Sequence, residues 1–147
     1  MKKLLFILIG IILFGCALKH DQRMVGTFVS DKETTMAYLQ STGKFSERQL
    51  EIFSRILGKL RVECDVVKCV SILDDYIDDT PYRVIERGSD YFVVESEFLY
   101  GKIQHKIVFT DDGYWAIGGG AGPDYREKFK RISKSIEKHL KPEELGK

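Results

Sequence analysis

Residues 91–118, YFVVESEFLYGKIQHKIVFTDDGYWAIG, decide the fold. Apolar and polar side chains alternate along this stretch with the period of two that marks a half-buried strand. The turn signals Tyr100-Gly101 and Asp111-Asp112-Gly113 divide it into three strands. A two-residue loop at Tyr100-Gly101 sets Phe98 opposite Ile103, Ser96 opposite His105, Val94 opposite Ile107 and Phe92 opposite Phe109, all on one face. The other face pairs Glu97 with Gln104 and Glu95 with Lys106, which is polar and compatible in charge. A three-residue loop over residues 111–113, with Gly113 in the left-handed position, carries the apolar face onward by placing Phe109 opposite Trp115 and Ile107 opposite Ile117.

The alternating pattern extends upstream to Lys59. Residues 82–87 form a strand before the turn Arg87-Gly88-Ser89-Asp90, and a Gly-Ser turn and a three-residue turn would give it different registers. Residues 59–64 and 69–73 read as a hairpin with Asp65 to Lys68 as its loop. That places Cys64 and Cys69 directly opposite, at a Cα separation of about 5.5 Å or less that a disulfide can span. C-x₄-C without a second Cys or His pair does not make a zinc site, and the C-x-x-C spacing of redox motifs is absent. Asp74, Asp75, Asp78 and Asp79 do not follow the EF-hand order and read as an acidic surface loop.

The first strand is residues 24–30 (MVGTFVS). Two helices follow it. Ser30-Asp31-Lys32-Glu33 opens the first as a capping box and Gly43 ends it; Ser46-Glu47-Arg48-Gln49 opens the second, which carries Leu50, Phe53, Ile56, Leu57 and Leu60 as a core-facing stripe and ends at Gly58. After the glycine run 118–122, read as a flexible connector, Pro123 begins a C-terminal amphipathic helix with Tyr125, Phe129, Ile132, Ile136 and Leu140 along one side. Lys128, Lys130, Arg131, Lys134 and Lys138 populate its solvated face. The expectation is an α+β domain: an antiparallel meander of about seven strands, open or closed into a barrel, with two helices after the first strand and one at the C-terminus.

Composition narrows the class. In 147 residues, 44% are hydrophobic and 31% charged, which excludes disordered, collagen-like and polytopic membrane chains. With 23 Lys and Arg against 22 Asp and Glu, no basic surplus is present to neutralise a phosphate backbone. Nucleic acid is therefore not an expected partner.

The N-terminus locates the protein. Met1-Lys2-Lys3 precedes the apolar run LLFILIGIILFG (residues 4–15), too short for a spanning helix, which needs about 20 residues, and suited to a secretory signal. Leu13-Phe14-Gly15-Cys16 resembles the lipobox of bacterial lipoproteins, with Phe14 departing from the usual small or aliphatic residue. The resemblance implies a signal peptide over residues 1–15, acylation of Cys16, a tether over 16–23, a domain over 24–141 and a tail over 142–147. Acyl chains at Cys16 make the membrane a partner through the anchor. By the sorting rule of enterobacterial lipoproteins, Ala17 directs the protein to the outer membrane, facing the periplasm, if the cell is Gram-negative. The cysteines left over, Cys64 and Cys69, form an even pair, as expected of an exported chain.

Chemistry is sparse. The glycine run lacks the Lys-Ser/Thr of a P-loop and the spacing of a dinucleotide fingerprint. His20 and His139 have no catalytic partner. His105, opposite Ser96 on an apolar face, either satisfies that hydroxyl in the core or anchors a ligand; a Ser-His acyl-transfer pair would lack a nucleophile elbow and an orienting acid. Gly26-Thr27-Phe28, the meander and a C-terminal helix also resemble a lipocalin-like arrangement, with Phe28 where lipocalins have Trp and with two extra helices. That resemblance implies a small apolar ligand on the concave face. The functional expectation is a non-enzymatic envelope lipoprotein, without cofactor or metal, that binds an envelope protein or another envelope component. The alternative is a carrier of a small apolar ligand lined by Val94, Ser96, Ile103, His105 and Ile107.

Overall fold

Nine strands in one antiparallel sheet carry most of the chain, in the order β4-β3-β2-β1-β9-β8-β7-β6-β5. The computed structural model describes residues 22–134 except 66, 67, 80, 99, 100, 120 and 121. A 3-10 turn, Gln22–Met24, leads into β1 (Gly26–Ser30), α1 (Lys32–Thr42) and α2 (Glu47–Ile56). Next come β2 (Arg61–Cys64), β3 (Cys69–Leu73), β4 (Tyr76–Asp78) and β5 (Tyr82–Arg87). The last four strands are β6 (Tyr91–Phe98), β7 (Gly101–Thr110), β8 (Gly113–Gly118) and β9 (Arg126–Ser133).

Connectivity forces this sheet to curl. The chain walks outward from β1 to β4 at one edge, then enters β5 at the opposite edge and walks back to β9 beside β1. Only residues 79–81 separate β4 from β5, a link that reaches at most about 14 Å. A flat sheet of this width would hold its edges roughly 38 Å apart at the usual strand spacing. The sheet therefore bends into a half-barrel whose two edges approach each other without a ladder between them.

The inner face follows from the register. Phe28 pairs with Val62 on one side and Arg131 on the other, and Tyr114 pairs with Phe129 and Phe109. Phe28, Phe92, Tyr114 and Phe129 are almost wholly buried and form the aromatic centre, with Phe28 against Tyr114 at 5.0 Å and Tyr114 stacked on Phe129 at 5.0 Å. Such ring pairs add about 0.5–1.5 kcal/mol each beyond their buried area. One end of the half-barrel is covered by the 3-10 turn: Met24 is buried, the Arg23 guanidinium lies 4.1 Å from the Phe109 ring, and Arg131 donates to the Arg23 carbonyl. Gln22 and Arg23, assigned from sequence to a tether, thus belong to the folded body.

The hairpin of β6 and β7 keeps the expected faces but not the expected partners. Phe98 pairs with Gly101 and Glu97 with Lys102, so Val94 stands opposite His105 and Ser96 opposite Ile103, while Glu95 meets Gln104 outside. A shift of two residues preserves faces. Between β7 and β8 the shift is one residue, which inverts them: Thr110 pairs with Gly113, Phe109 with Tyr114 and Val108 with Trp115. Tyr114 and Ala116 point inward and Trp115 outward, against Tyr38 of α1 at 5.6 Å. In GYWAIG no polar residue marks a solvent face, because both faces are covered. On β5 a bulge between Val84 and Glu86 settles the register, turning Tyr82 and Val84 inward.

Residues 126–133 are a strand where a helix is expected. Phe129 lies on the inner face with Glu127 and Arg131, so the period of two is hidden by inward polar groups. Pairing with β1 and β8 at once satisfies the backbone of all three strands, which a helix could not do. The basic residues are accordingly not one solvated face. Lys128 is buried with Nζ 2.5 Å from Asp112, Lys130 pairs with Asp31 at 2.6 Å, and the Arg131 guanidinium lies 5.1 Å from the Phe28 ring. Ile136, Lys138 and Leu140 fall outside the described residues. The strands beyond the expected seven are β9 and β4, the second of which occupies part of the DDYIDD segment.

The helices sit beside the sheet. Asp31, rather than Ser30, caps α1, accepting from the Thr34 N–H at 3.2 Å, while Ser30 remains the last residue of β1. Gly43 closes α1 in the left-handed region. Thr35 and Leu39 are fully buried, and the Thr35 hydroxyl accepts the Lys128 N–H at 2.9 Å where β1 has run out. Ser46 and Gln49 make the expected capping box on α2. No residue of α2 is fully buried; Ile56, expected in the core, is 47% exposed, whereas Leu57 beyond the helix is buried.

Candidate functional site

The concave side of the curled sheet holds an open cavity of about 240 Å³. Its apolar wall is supplied by residues that alternate inward on several strands, among them Val62, Phe92, Val94, Ile107 and Phe129. Strand alternation fixes these positions, since every second side chain faces the same side. Its polar groups include His105, Tyr125 and Glu127 near the region where β8 gives way to β9, and Ser71 on β3.

Glu127 is the central polar group. Tyr125 donates its hydroxyl to Glu127 Oε2 at 3.0 Å, and the Ser30 hydroxyl is a second hydrogen-bond partner. Burial nevertheless outweighs these bonds and pushes the Glu127 carboxyl above its ordinary value. Burial, then the neighbouring Glu127 charge, also push the Tyr114 and Tyr125 phenols up. Tyr125 is held from the other side by Phe53 of α2, 5.2 Å away, and Phe53 in turn packs on Phe45 at 5.6 Å.

His105 lies against the glycine loop. A Cβ on Gly119 would overlap His105 Nε2, and Gly119 has φ +84°, so sterics and backbone conformation both require glycine there. Gly118 donates its N–H to the Tyr125 carbonyl at 2.9 Å. Gly118, at the start of the glycine run, is thus part of the cavity wall. Burial lowers the His105 pKa from its ordinary 6.5, favouring the neutral ring. Among the described residues no hydrogen-bond partner meets its imidazole.

Of the five residues singled out from sequence, Val94, His105 and Ile107 line the cavity. Ser96 and Ile103 share the same face but pair with each other one step further along the hairpin, away from the lining. His105 and Ser96 are not opposed, so the mutual satisfaction expected of them gives way to His105 against Gly119. The sequence reading missed Glu127, Tyr125 and Tyr114. For Glu127 the available signal is its spacing of two from Phe129.

Cys64 and Cys69 are joined by a disulfide across paired positions, at a Cα separation of 4.0 Å. The Asp65 N–H donates to the Lys68 carbonyl at 2.9 Å, closing the hairpin as expected. Asp74 and Asp75 form the turn between β3 and β4, and no group of three metal-ligating side chains occurs among the described residues. Nor is any described helix long and apolar enough to cross a membrane. Cys16, His20 and His139 lie outside the described residues. Comparison with protein-family models, curated proteins and solved structures finds no match.

Proposed function

We propose that this chain is a non-enzymatic, lipid-anchored envelope protein whose half-barrel binds a small, mostly apolar molecule. One observation carries the reading: a cavity with an apolar wall and a few convergent polar groups, the usual composition of a ligand site. It moves the apolar-ligand carrier ahead of the protein-binding module, with Val94, His105 and Ile107 retained in the lining and Glu127 and Tyr125 added. Ser96 and Ile103 remain on the same face at its margin.

The anchor rests on the lipobox-like Leu13-Phe14-Gly15-Cys16. The disulfide supports an oxidising compartment outside the cytoplasm. His105 and Ser96 are not opposed, so the Ser-His acyl-transfer pair weighed from the sequence does not assemble. Native mass spectrometry of protein extracted from its own membranes tests both parts. The expected result is an acylated mass at Cys16, lost in Cys16→Ser, together with a non-covalent ligand of small molecular mass. An unmodified thiol with the leader attached contradicts the anchor; a ligand-free protein under gentle extraction contradicts the carrier.

A further inference from the structure

The charge inside the cavity is one-sided. Among the lining residues Glu127 is the only carboxyl, and no Lys or Arg is present. Arg126 and Lys128 flank it in sequence but stand on the other face of β9: the Arg126 guanidinium lies 5.3 Å from the Tyr38 ring, and Lys128 Nζ is 2.5 Å from Asp112. His105, the single basic side chain among the lining residues, is held toward its neutral form by burial.

What meets Glu127 are hydroxyls. Tyr125 donates at 3.0 Å, and Ser30, whose oxygen accepts the Gly58 N–H at 3.0 Å, keeps its proton for the carboxyl. Both donate to the carboxyl, yet neither brings an opposite charge. A half-buried carboxylate set in an apolar wall without a cation is costly, and an apolar ligand carrying a positive charge would offset that cost where an anion would add to it. The rings of Tyr82, Phe92, Tyr114 and Phe129 complete the wall, and aromatic faces attract cations.

We propose that the cavity selects a small organic ammonium, with its nitrogen on the Glu127 carboxylate and its apolar body among Phe92, Ile107 and Phe129. The assignment rests on the ligand-cavity reading given above and adds the sign of the ligand's charge. The volume of about 240 Å³ restricts the body to a short chain or a single ring. Fatty-acid-like carboxylates are disfavoured by the same arrangement.

Calorimetric titration with n-hexylammonium, n-hexanol and n-hexanoate at one ionic strength separates the possibilities. The ammonium is expected to bind about tenfold or more tightly than the alcohol, and the carboxylate most weakly. In Glu127→Gln the advantage of the ammonium disappears while alcohol binding persists, which also reports that the cavity is intact. Alcohol binding as tightly as ammonium, or carboxylate binding most tightly, overturns the cation assignment and leaves the apolar cavity standing. If the variant does not fold, the ranking on the unaltered protein decides alone. Binding of none of the three at millimolar concentration overturns the cavity reading and this assignment with it.

Discussion

The Tyr82 hydroxyl lies 3.3 Å from the Cys69 sulfur, joining β5 to β3 although these strands belong to opposite ends of the sheet. Cys69 is oxidised, so the tyrosine is the donor. This contact spans the seam of the half-barrel at the side of the cavity, and it couples the disulfide hairpin to the strand that the short β4–β5 link delivers.

The disulfide clips a short loop, with a sequence separation of 5. Its removal in Cys64→Ser/Cys69→Ser is expected to lower stability by about 2 kcal/mol on the chain-entropy account. Urea unfolding checks the value. An unchanged midpoint would mean that the hairpin is held by its ladder alone.

Gly119→Ala introduces both a left-handed backbone penalty and an overlap with His105, and is expected to cost about 1–3 kcal/mol. Adding His105→Ala should recover the overlap part, giving a coupling of about 1 kcal/mol in a double-mutant cycle. Strict additivity would show that the imidazole does not rest on the glycine loop.

Phe129 is 3% exposed and Ile132 is 60% exposed, because residues 126–133 are extended. Phe129→Ala should cost roughly 3–5 kcal/mol. Ile132→Ala should cost less than about 0.5 kcal/mol, as surface substitutions usually do. Comparable costs at both positions would restore the helical stripe that the spacing of three suggests.

Two half-buried groups set opposing pH dependences. Glu127 is raised above 4.5, so as pH climbs the unfolded chain ionises first and the folded state loses stability until the folded carboxyl also ionises. Glu127→Gln removes this loss. The variant should match the parent at acidic pH and exceed it above the folded value, by about 1.4 kcal/mol per unit of elevation. His105 is lowered from 6.5, so stability falls as pH drops from there toward its folded value, and His105→Ala should abolish that acid-side decline. Thermal unfolding across the pH range reads both curves; flat difference curves would show these groups to be solvated.

Much of the sheet was legible because its strands carry a period of two: the Cys64–Cys69 hairpin and the apolar face of Phe92, Val94, His105 and Ile107 were found from spacing alone. Register was legible only where one face is polar. On β6 and β7, Glu95 and Gln104 mark the outside, so a misplaced turn changed partners without changing faces. On β8, Trp115 is covered by Tyr38 and Tyr114 by the core, so nothing in the local pattern distinguished in from out. Strand β9 escaped for the opposite reason. Its inward positions include Glu127 and Arg131, whose partners, Tyr125 apart, come from distant segments: Ser30 and the Arg23 carbonyl. The polar half of the cavity is a tertiary construction that neither helix nor strand periodicity encodes.

The central claim is that the concave face holds a ligand, and an NMR titration of the isotope-labelled protein with n-hexanol tests it most directly. The account requires saturable shifts at Val94, Ile107, Ala116 and Phe129, with the exposed apolar residues Ile52, Ile56 and Tyr76 unmoved. Shifts confined to those exposed positions, or rising without saturation, would contradict it.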